Sequence, residues 1–209
     1  MDIQNDYFTG GAMQLVGMEA AAGRASALLQ FFRERSEPVF HVRHLSKRAG
    51  ATFFIPDTPG AEIHPAVEPL PAEPVVTKYF PNSFRGTNLL DLLKKEEVGH
   101  LVICGAMSQM CIDATTRAAF DLGFKCTVIE DACATRNLSF KGEVVPAWAV
   151  HGAFMAALQG IAPREVDAQA TAVAFHPLHA DEPRRHDQHI RGQLAGAVAA
   201  RRSAREIRC

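Results

Sequence analysis

The sequence predicts an α/β fold built on a mostly parallel sheet, and three observations predict it. The segments HLVICGAM and FKCTVIEDAC are nearly continuous apolar runs of strand length. Strands that read apolar throughout belong to sheets covered on both faces. Around them lie segments of helical period, SQMCIDATTRAAFDLG and VVPAWAVHGAFMAALQG, and such alternation implies parallel strands with helices on the sheet's faces. The chain has 209 residues, 47% of them apolar and 22% charged, which suits one ordinary domain with a large core.

Taken in order, residues 9–17 read as a loop. From Met18 to about Arg35 the text is rich in Ala, Leu, Phe and Arg without proline, the pattern of an amphipathic helix. PVFHVRH gives a short strand from about Val39 to Arg43. Residues 45–74 carry repeated Pro and Gly, and a loop of that length in a compact domain is usually functional or disordered. PVVTKY is a strand ending near Lys78. SFRGTNLLDLLKKEE offers Thr87 or Asn88 as the cap of a helix to about Glu97. A strand follows from Leu101 to about Gly105. Ser108 is the expected N-cap of the next helix and Gly123 its terminator. The next strand runs to Glu130, and VVPAWAVHGAFMAALQG is the last clear helix. Residues 1–162 thus form the predicted domain. Residues 163–209 are dense in Arg, His, Asp and Pro and form a divergent, poorly ordered tail, in which ATAVAF offers a last strand and GQLAGAVAARRSAREIR a helix. His176, His179, His186 and His189 lie there without a firm element to aim them, so the tail reads as solvated rather than metal-binding.

The net charge of −1 gives no footprint for nucleic acid or an anionic membrane, and no apolar run has the length of a membrane span. The acidic N-terminus has no signal-peptide pattern. Five cysteines, an odd number without zinc spacing, fit a reducing cytoplasmic setting.

In parallel sheets, sites form at the carboxyl ends of strands. Lys78 ends one strand. Cys111 falls in the first turn of the helix after LVICG, and Asp2 would end a strand if one preceded it. With Ser108 as N-cap, Cys111 lies where unpaired N–H groups and positive potential stabilise a thiolate. Spacing alone does not choose between that role and a core cysteine. Cys104 and Cys126 read as structural, and Cys133 as a weaker rival. A cation beside a thiol and a carboxylate would lower the thiol pKa, with the carboxylate to take the proton. His151 reads as a packed helix histidine, and the sequence does not aim His41 or His44.

The stretch ICGAMSQMCIDATTRAAFDLGFKCTVIEDACAT resembles the signature of the isochorismatase-like cysteine hydrolase superfamily. DIQNDYF resembles its Asp-x-Gln-x-Asp-Phe motif, and KYFPNSFRGTNLLDLL its Lys-x-x-x-Ser-Ala-Phe-x-x-Thr-x-Leu segment. The likeness spans roughly residues 2–160, with three motifs in family order. It implies a six-stranded parallel sheet between helix layers, with the first strand, normally directly before Asp2, truncated here. It implies a Cys111–Asp2–Lys78 triad of nucleophile, base and cation. It implies a cis peptide at Ala106–Met107, with an oxyanion hole from the backbone N–H groups of Met107 and Cys111. Phe8, Phe84 and Met107 are the expected substrate contacts, Phe84 foremost, with Tyr7 a further wall. The implied reaction is hydrolysis of a C–N bond in a small amide, carbamoyl or ureido compound through an acyl-enzyme. The alternatives are a catalytically weak scaffold protein, or cleavage of another bond such as a vinyl ether. The segment after the second strand lacks the Asp-x-His of zinc-binding nicotinamidases, so no metal and no cofactor are expected. A small-molecule substrate and a homo-oligomer are.

Overall fold

The computed structural model describes residues 1–162 and the backbone of the two-residue strand Arg164–Glu165. All of them belong to the first of two units into which the chain divides, Met1–Ala174. The tail elements expected beyond residue 165, and its histidines, lie outside the described residues.

An α/β architecture results. Its first long helix, α1 (Met18–Glu34), buries Met18, Ala21, Ala22, Ala25 and Leu28. That spacing places them on one helical face. Strand β1 (His41–His44) pairs in parallel with β2 (Val75–Lys78). The connection between them, expected as a loop, is ordered by two 3₁₀ turns at Pro59–Ala61 and Pro65–Val67. Helix α2 (Leu89–Lys95) follows, with Asn88 at its N-cap. Strand β3 (His100–Ala106) pairs in parallel with β4 (Lys125–Ala134), and β4 in turn with the short β7 (Arg164–Glu165). Helix α3 (Asp113–Asp121) joins β3 to β4, and Gly123 ends its C-terminal turn at a φ of 89°.

Two expectations change here. Strand β4 does not stop at Glu130 but continues to Ala134, with a bulge between its two paired stretches. The VV of VVPAWAV is not helical. It closes an antiparallel hairpin, β5 (Leu138–Phe140) with β6 (Glu143–Val145), and helix α4 (Ala147–Leu158) begins after Pro146. Proline lacks the N–H that a helix interior needs, so it divides the apolar run into two elements.

The core lies on two sides of the strands. One cluster gathers α1 with Ile3, Tyr7, Phe8, Phe54 and Met107. The other gathers Leu89 and Leu93 of α2, Ala119 of α3, and Met155 and Leu158 of α4. Each fully buried Leu or Phe contributes about 1.5–3 kcal/mol.

Met1 and Asp2 occupy the position between β1 and β3. The Met1 ammonium donates to the Cys104 carbonyl at 2.9 Å, and Ala106 N–H donates to the Met1 carbonyl at 3.1 Å. Asp2 N–H donates to the Val42 carbonyl at 2.8 Å. Bonds to residues on either side of Gly105 are the pattern of a parallel bridge. Gly105 has a φ of 126°, and a Cβ there would overlap the Met1 carbonyl oxygen. Only glycine lets the two backbones come this close.

Candidate active site

Three elements bring Asp2, Lys78 and Cys111 together. Lys78 is the last residue of β2, and its side chain is fully buried. Its Nζ lies 2.7 Å from Asp2 Oδ2 and donates to Cys111 Sγ at 3.0 Å. It also reaches the Phe80 carbonyl at 3.2 Å and His44 Nδ1 at 3.1 Å. An ammonium has three protons and no lone pair, so His44 Nδ1 is the acceptor and the imidazole is neutral with its proton on Nε2.

Asp2 is fully buried, with a φ of 54°. That left-handed region is unfavourable for most side chains and more accessible to aspartate. It is fixed from below by the bond to Val42 and from above by the 3₁₀ turn Asn5–Tyr7. Within this segment, buried Gln4 acts on the backbone of its neighbours. Its Nε2 donates to the His44 and Ala61 carbonyls at 2.9 and 2.8 Å, and its Oε1 accepts the His44 N–H at 2.8 Å. Asp6 accepts Phe54 N–H at 2.6 Å and so holds the Phe53–Phe54 loop over Tyr7.

Cys111 does not sit where the sequence reading put it. Ser108 is not a capping residue. A π-helical turn, Ser108–Ile112, begins there, with Met107 at its N-cap and Cys111 inside it. Ser108 Oγ instead donates to the Ala134 carbonyl at 3.3 Å and lies 2.9 Å from His151 Nδ1, tying the turn to β4 and α4. The peptide bond Ala106–Met107 is cis.

The electrostatics also differ from the thiolate expected at a helix N-terminus. Burial pushes the Cys111 thiol up to about 12, with Asp2 adding to the rise and Lys78 opposing it. The thiol therefore rests protonated, because desolvation disfavours the anion more than one shared cation favours it. Burial works against the charge of Lys78, yet Asp2 and Cys111 outweigh it, and the ammonium is held more firmly than usual. Tyr7 is raised well above its ordinary value by burial and by the nearby Cys111 and Asp2. Burial, then the charge of Lys78, lowers His44, with Asp2 opposing.

The remaining expected residues divide. Phe8 is buried, stacks on His64 at 3.6 Å between centroids, and shares a cluster with Tyr7 and Met107. Phe84 does not join them. Ser83 is bound to Thr115 of α3 through its N–H and hydroxyl, which turns the next side chain toward Phe124, 6.1 Å away, in the other cluster. Met107 and Cys111 both belong to the buried turn. Of the two open histidines, His44 faces Lys78, while His41 points away to Glu73 at 2.8 Å. Phe54, His64 and Gln4 were missed. The available signals were the paired phenylalanines inside a Pro/Gly loop and the polar residues at positions 2, 4 and 6 of DIQND.

Asp2, His44 and Cys111 place donor atoms within 4.8 Å of one another. Lys78 Nζ lies among them. Among the described residues, no helix is long and apolar enough to cross a membrane.

Comparison with known proteins identifies the family. Residues 1–145 match the isochorismatase domain model. An uncharacterised isochorismatase family protein of Bacillus subtilis, YddQ, is 52% identical over 161 residues, covering 77% of this chain and 89% of that protein. Nicotinamidase of Escherichia coli is 27% identical over 175 residues, covering 66% of this chain and 82% of the enzyme. The crystal structure of a protein from Oleispira antarctica described as an isochorismatase hydrolase superposes with a TM-score of 0.79 at 48% identity, over 82% of this chain and 92% of that one. The family model and the Bacillus relative together span the strands and turns that carry Asp2, Lys78 and Cys111, and the chain belongs to the isochorismatase family of hydrolases.

Proposed function

We propose that this hydrolase cleaves a C–N bond of a small amide, carbamoyl or ureido compound through a covalent thioester on Cys111. The observation that carries the reading is one buried ammonium, Lys78, within 2.7 Å of a buried carboxylate and 3.0 Å of a buried thiol. The nicotinamidase relative supports an amide as substrate class.

Because the thiol rests protonated, its proton leaves as the sulfur attacks. Asp2 accepts that proton while the Cys111 Sγ–carbonyl carbon bond forms. The N–H groups of Met107 and Cys111 receive the oxyanion. The protonated Asp2 then gives its proton to the leaving nitrogen as the C–N bond breaks. Water, deprotonated by Asp2, attacks the thioester and releases the acid, and Cys111 recovers its proton. Lys78 keeps its charge throughout and offsets whichever neighbour is anionic.

The test is a panel of small amides, ureido compounds and vinyl ethers, read by ammonia release and product mass. Turnover of a C–N substrate, its loss in Cys111→Ala and Asp2→Asn, and an acyl adduct trapped on Cys111 are the expected results. Undiminished turnover in Cys111→Ala would refute the thioester. Cleavage of vinyl ethers alone would assign the other bond, and an inert chain would favour a scaffold role.

A further inference from the structure

Strand β1 sets a second residue against Lys78 that the proposed reaction does not use. His44 and Lys78 are the last residues of β1 and β2 and stand directly opposite each other in the parallel ladder. Paired residues of neighbouring strands project from the same face, so the imidazole and the lysine side chain run side by side. Arg43, one residue earlier, pairs with Thr77 on the opposite face, and its Nε donates to the Thr77 hydroxyl at 3.0 Å. The His44 backbone is held at both its N–H and its carbonyl by the Gln4 amide. Its ring lies 6.0 Å from that of Phe54, between centroids.

The Lys78 ammonium has three protons to give and more acceptors than that around it. Asp2 Oδ2 lies at 2.7 Å, Cys111 Sγ at 3.0 Å, His44 Nδ1 at 3.1 Å and the Phe80 carbonyl at 3.2 Å. Contacts to Asp2 and Cys111 carry the proposed chemistry, and the other two aim the ammonium. The Phe80 carbonyl accepts at every pH. His44 Nδ1 accepts only while the imidazole is neutral. A proton on Nδ1 turns that acceptor into a donor and sets two cations 3.1 Å apart. The ammonium then has to leave its place between the carboxylate and the thiol.

Three groups face the imidazole: Lys78 from β2, Asp2 from the N-terminal segment and Cys111 from the π turn. The thiol rests protonated. Burial first, then the charge of Lys78, holds His44 below its ordinary value, against the pull of Asp2. The ring is half-buried and still reaches solvent, so it exchanges protons with the medium.

We infer that neutral His44 is a positioning residue for the proposed hydrolysis: it aims the Lys78 ammonium between Asp2 and Cys111, and a proton gained at Nδ1 undoes that aim and stops turnover. The kinetic consequence rests on the proposed reaction, whereas the hold on Lys78 rests on the ladder and the distances alone.

The test compares wild type with His44→Asn and His44→Leu in the full 209-residue chain, on a C–N substrate from the panel of small amides and ureido compounds. Asparagine offers an amide oxygen in place of Nδ1 and does not titrate, while leucine offers no acceptor. His44→Asn should keep kcat within about threefold, and His44→Leu should lose about tenfold or more in kcat at unchanged KM. Wild-type kcat/KM should fall about tenfold per pH unit below the His44 pKa, and in His44→Asn this limb should move to lower pH. Equal kcat in wild type and His44→Leu, or an acid limb at the same pH in wild type and His44→Asn, would overturn the inference. If His44→Leu does not fold, the acid limb decides alone. Nitrogen-15 NMR of the wild-type imidazoles reads the same proton without turnover. A His44 Nε2–H tautomer above neutrality that gains its second proton at Nδ1 is expected, and an Nδ1–H tautomer would overturn the hold on Lys78. A chain inert to every compound in the panel would sink the proposed reaction, and the tautomer would still decide whether His44 aims the ammonium.

Discussion

Lys78 is the residue on which the site's charges depend. A fully buried ammonium is stable here because one carboxylate, one thiol, one imidazole and one carbonyl all turn toward it. Replacing it with methionine leaves Asp2 buried without its counter-charge, a loss of about 3–5 kcal/mol. Lys78→Met should therefore lower the thermal midpoint and reduce kcat/KM by about 100-fold or more. Cys111→Ser, which keeps the ion pair, should abolish turnover with little change in the midpoint. Equal thermal midpoints for wild type and Lys78→Met would contradict the electrostatic account. The three members of this cluster were legible because each stands in its own motif of the family resemblance, although only Lys78 ends a strand. His44 was not, because strand parity says which side of a sheet a residue faces but not how far its ring reaches. That reach is set by the Gln4 amide, which grips the His44 backbone at both polar groups.

Among the elements, α1, β1 and the turn before β2 are joined by one carboxylate. Arg33 binds Glu73 through two nitrogens, each at 2.7 Å, and His41 and Leu70 N–H add bonds of 2.8 Å. The Arg33 guanidinium, first among these, lowers the Glu73 carboxyl from 4.5 to about 2. A carboxylate depressed in the folded state contributes stability above its unfolded pKa. That contribution is lost as pH falls from about 4.5 through about 2. Glu73→Gln should cost about 1–2 kcal/mol at neutral pH by urea unfolding. The difference from wild type should shrink to nothing toward pH 2, as the wild-type carboxyl also becomes neutral. A cost unchanged across that range would mean the carboxylate's charge is irrelevant. Elements with long uniform patterns, such as α1 and β3, were readable from the text. The β5–β6 hairpin and the π turn were not. The hairpin's two strands are three residues each, too short for a period. The π turn's widened bonds follow from how Cys111 and Ser108 are held by neighbouring elements.

At the scale of the whole molecule, four histidines act together against acid. Burial is the first cause of the lowered pKa at His41, His44, His64 and His151. Each then binds fewer protons folded than unfolded just below 6.5, its ordinary value. Their contribution is fully present above that value and declines as pH drops through it. Stability should fall on acidification from neutrality toward pH 5, by about 1.4 kcal/mol per pH unit for each proton taken up on unfolding. Urea midpoints measured at several pH values would check this, and a flat profile would refute it. The α/β class was legible at this scale, because apolar strands alternating with helices admit few other solutions. The link that Met1 and Asp2 make between β1 and β3 was not legible, because backbone bonds between distant segments leave no local pattern in the text.

One consequence reaches the chemistry from a position that has none of its own. Gly105 carries no side chain and titrates nothing. Yet the Met1 backbone rests against the face of Gly105 where a Cβ would stand, and Asp2 is the next residue. An alanine there would move Asp2 sideways while leaving every polar group of the site intact. Loss of function by this route would look, in any survey of reactive side chains, like an inactivation without a cause. The placement of Asp2 is written partly in the smallest residue of a different strand.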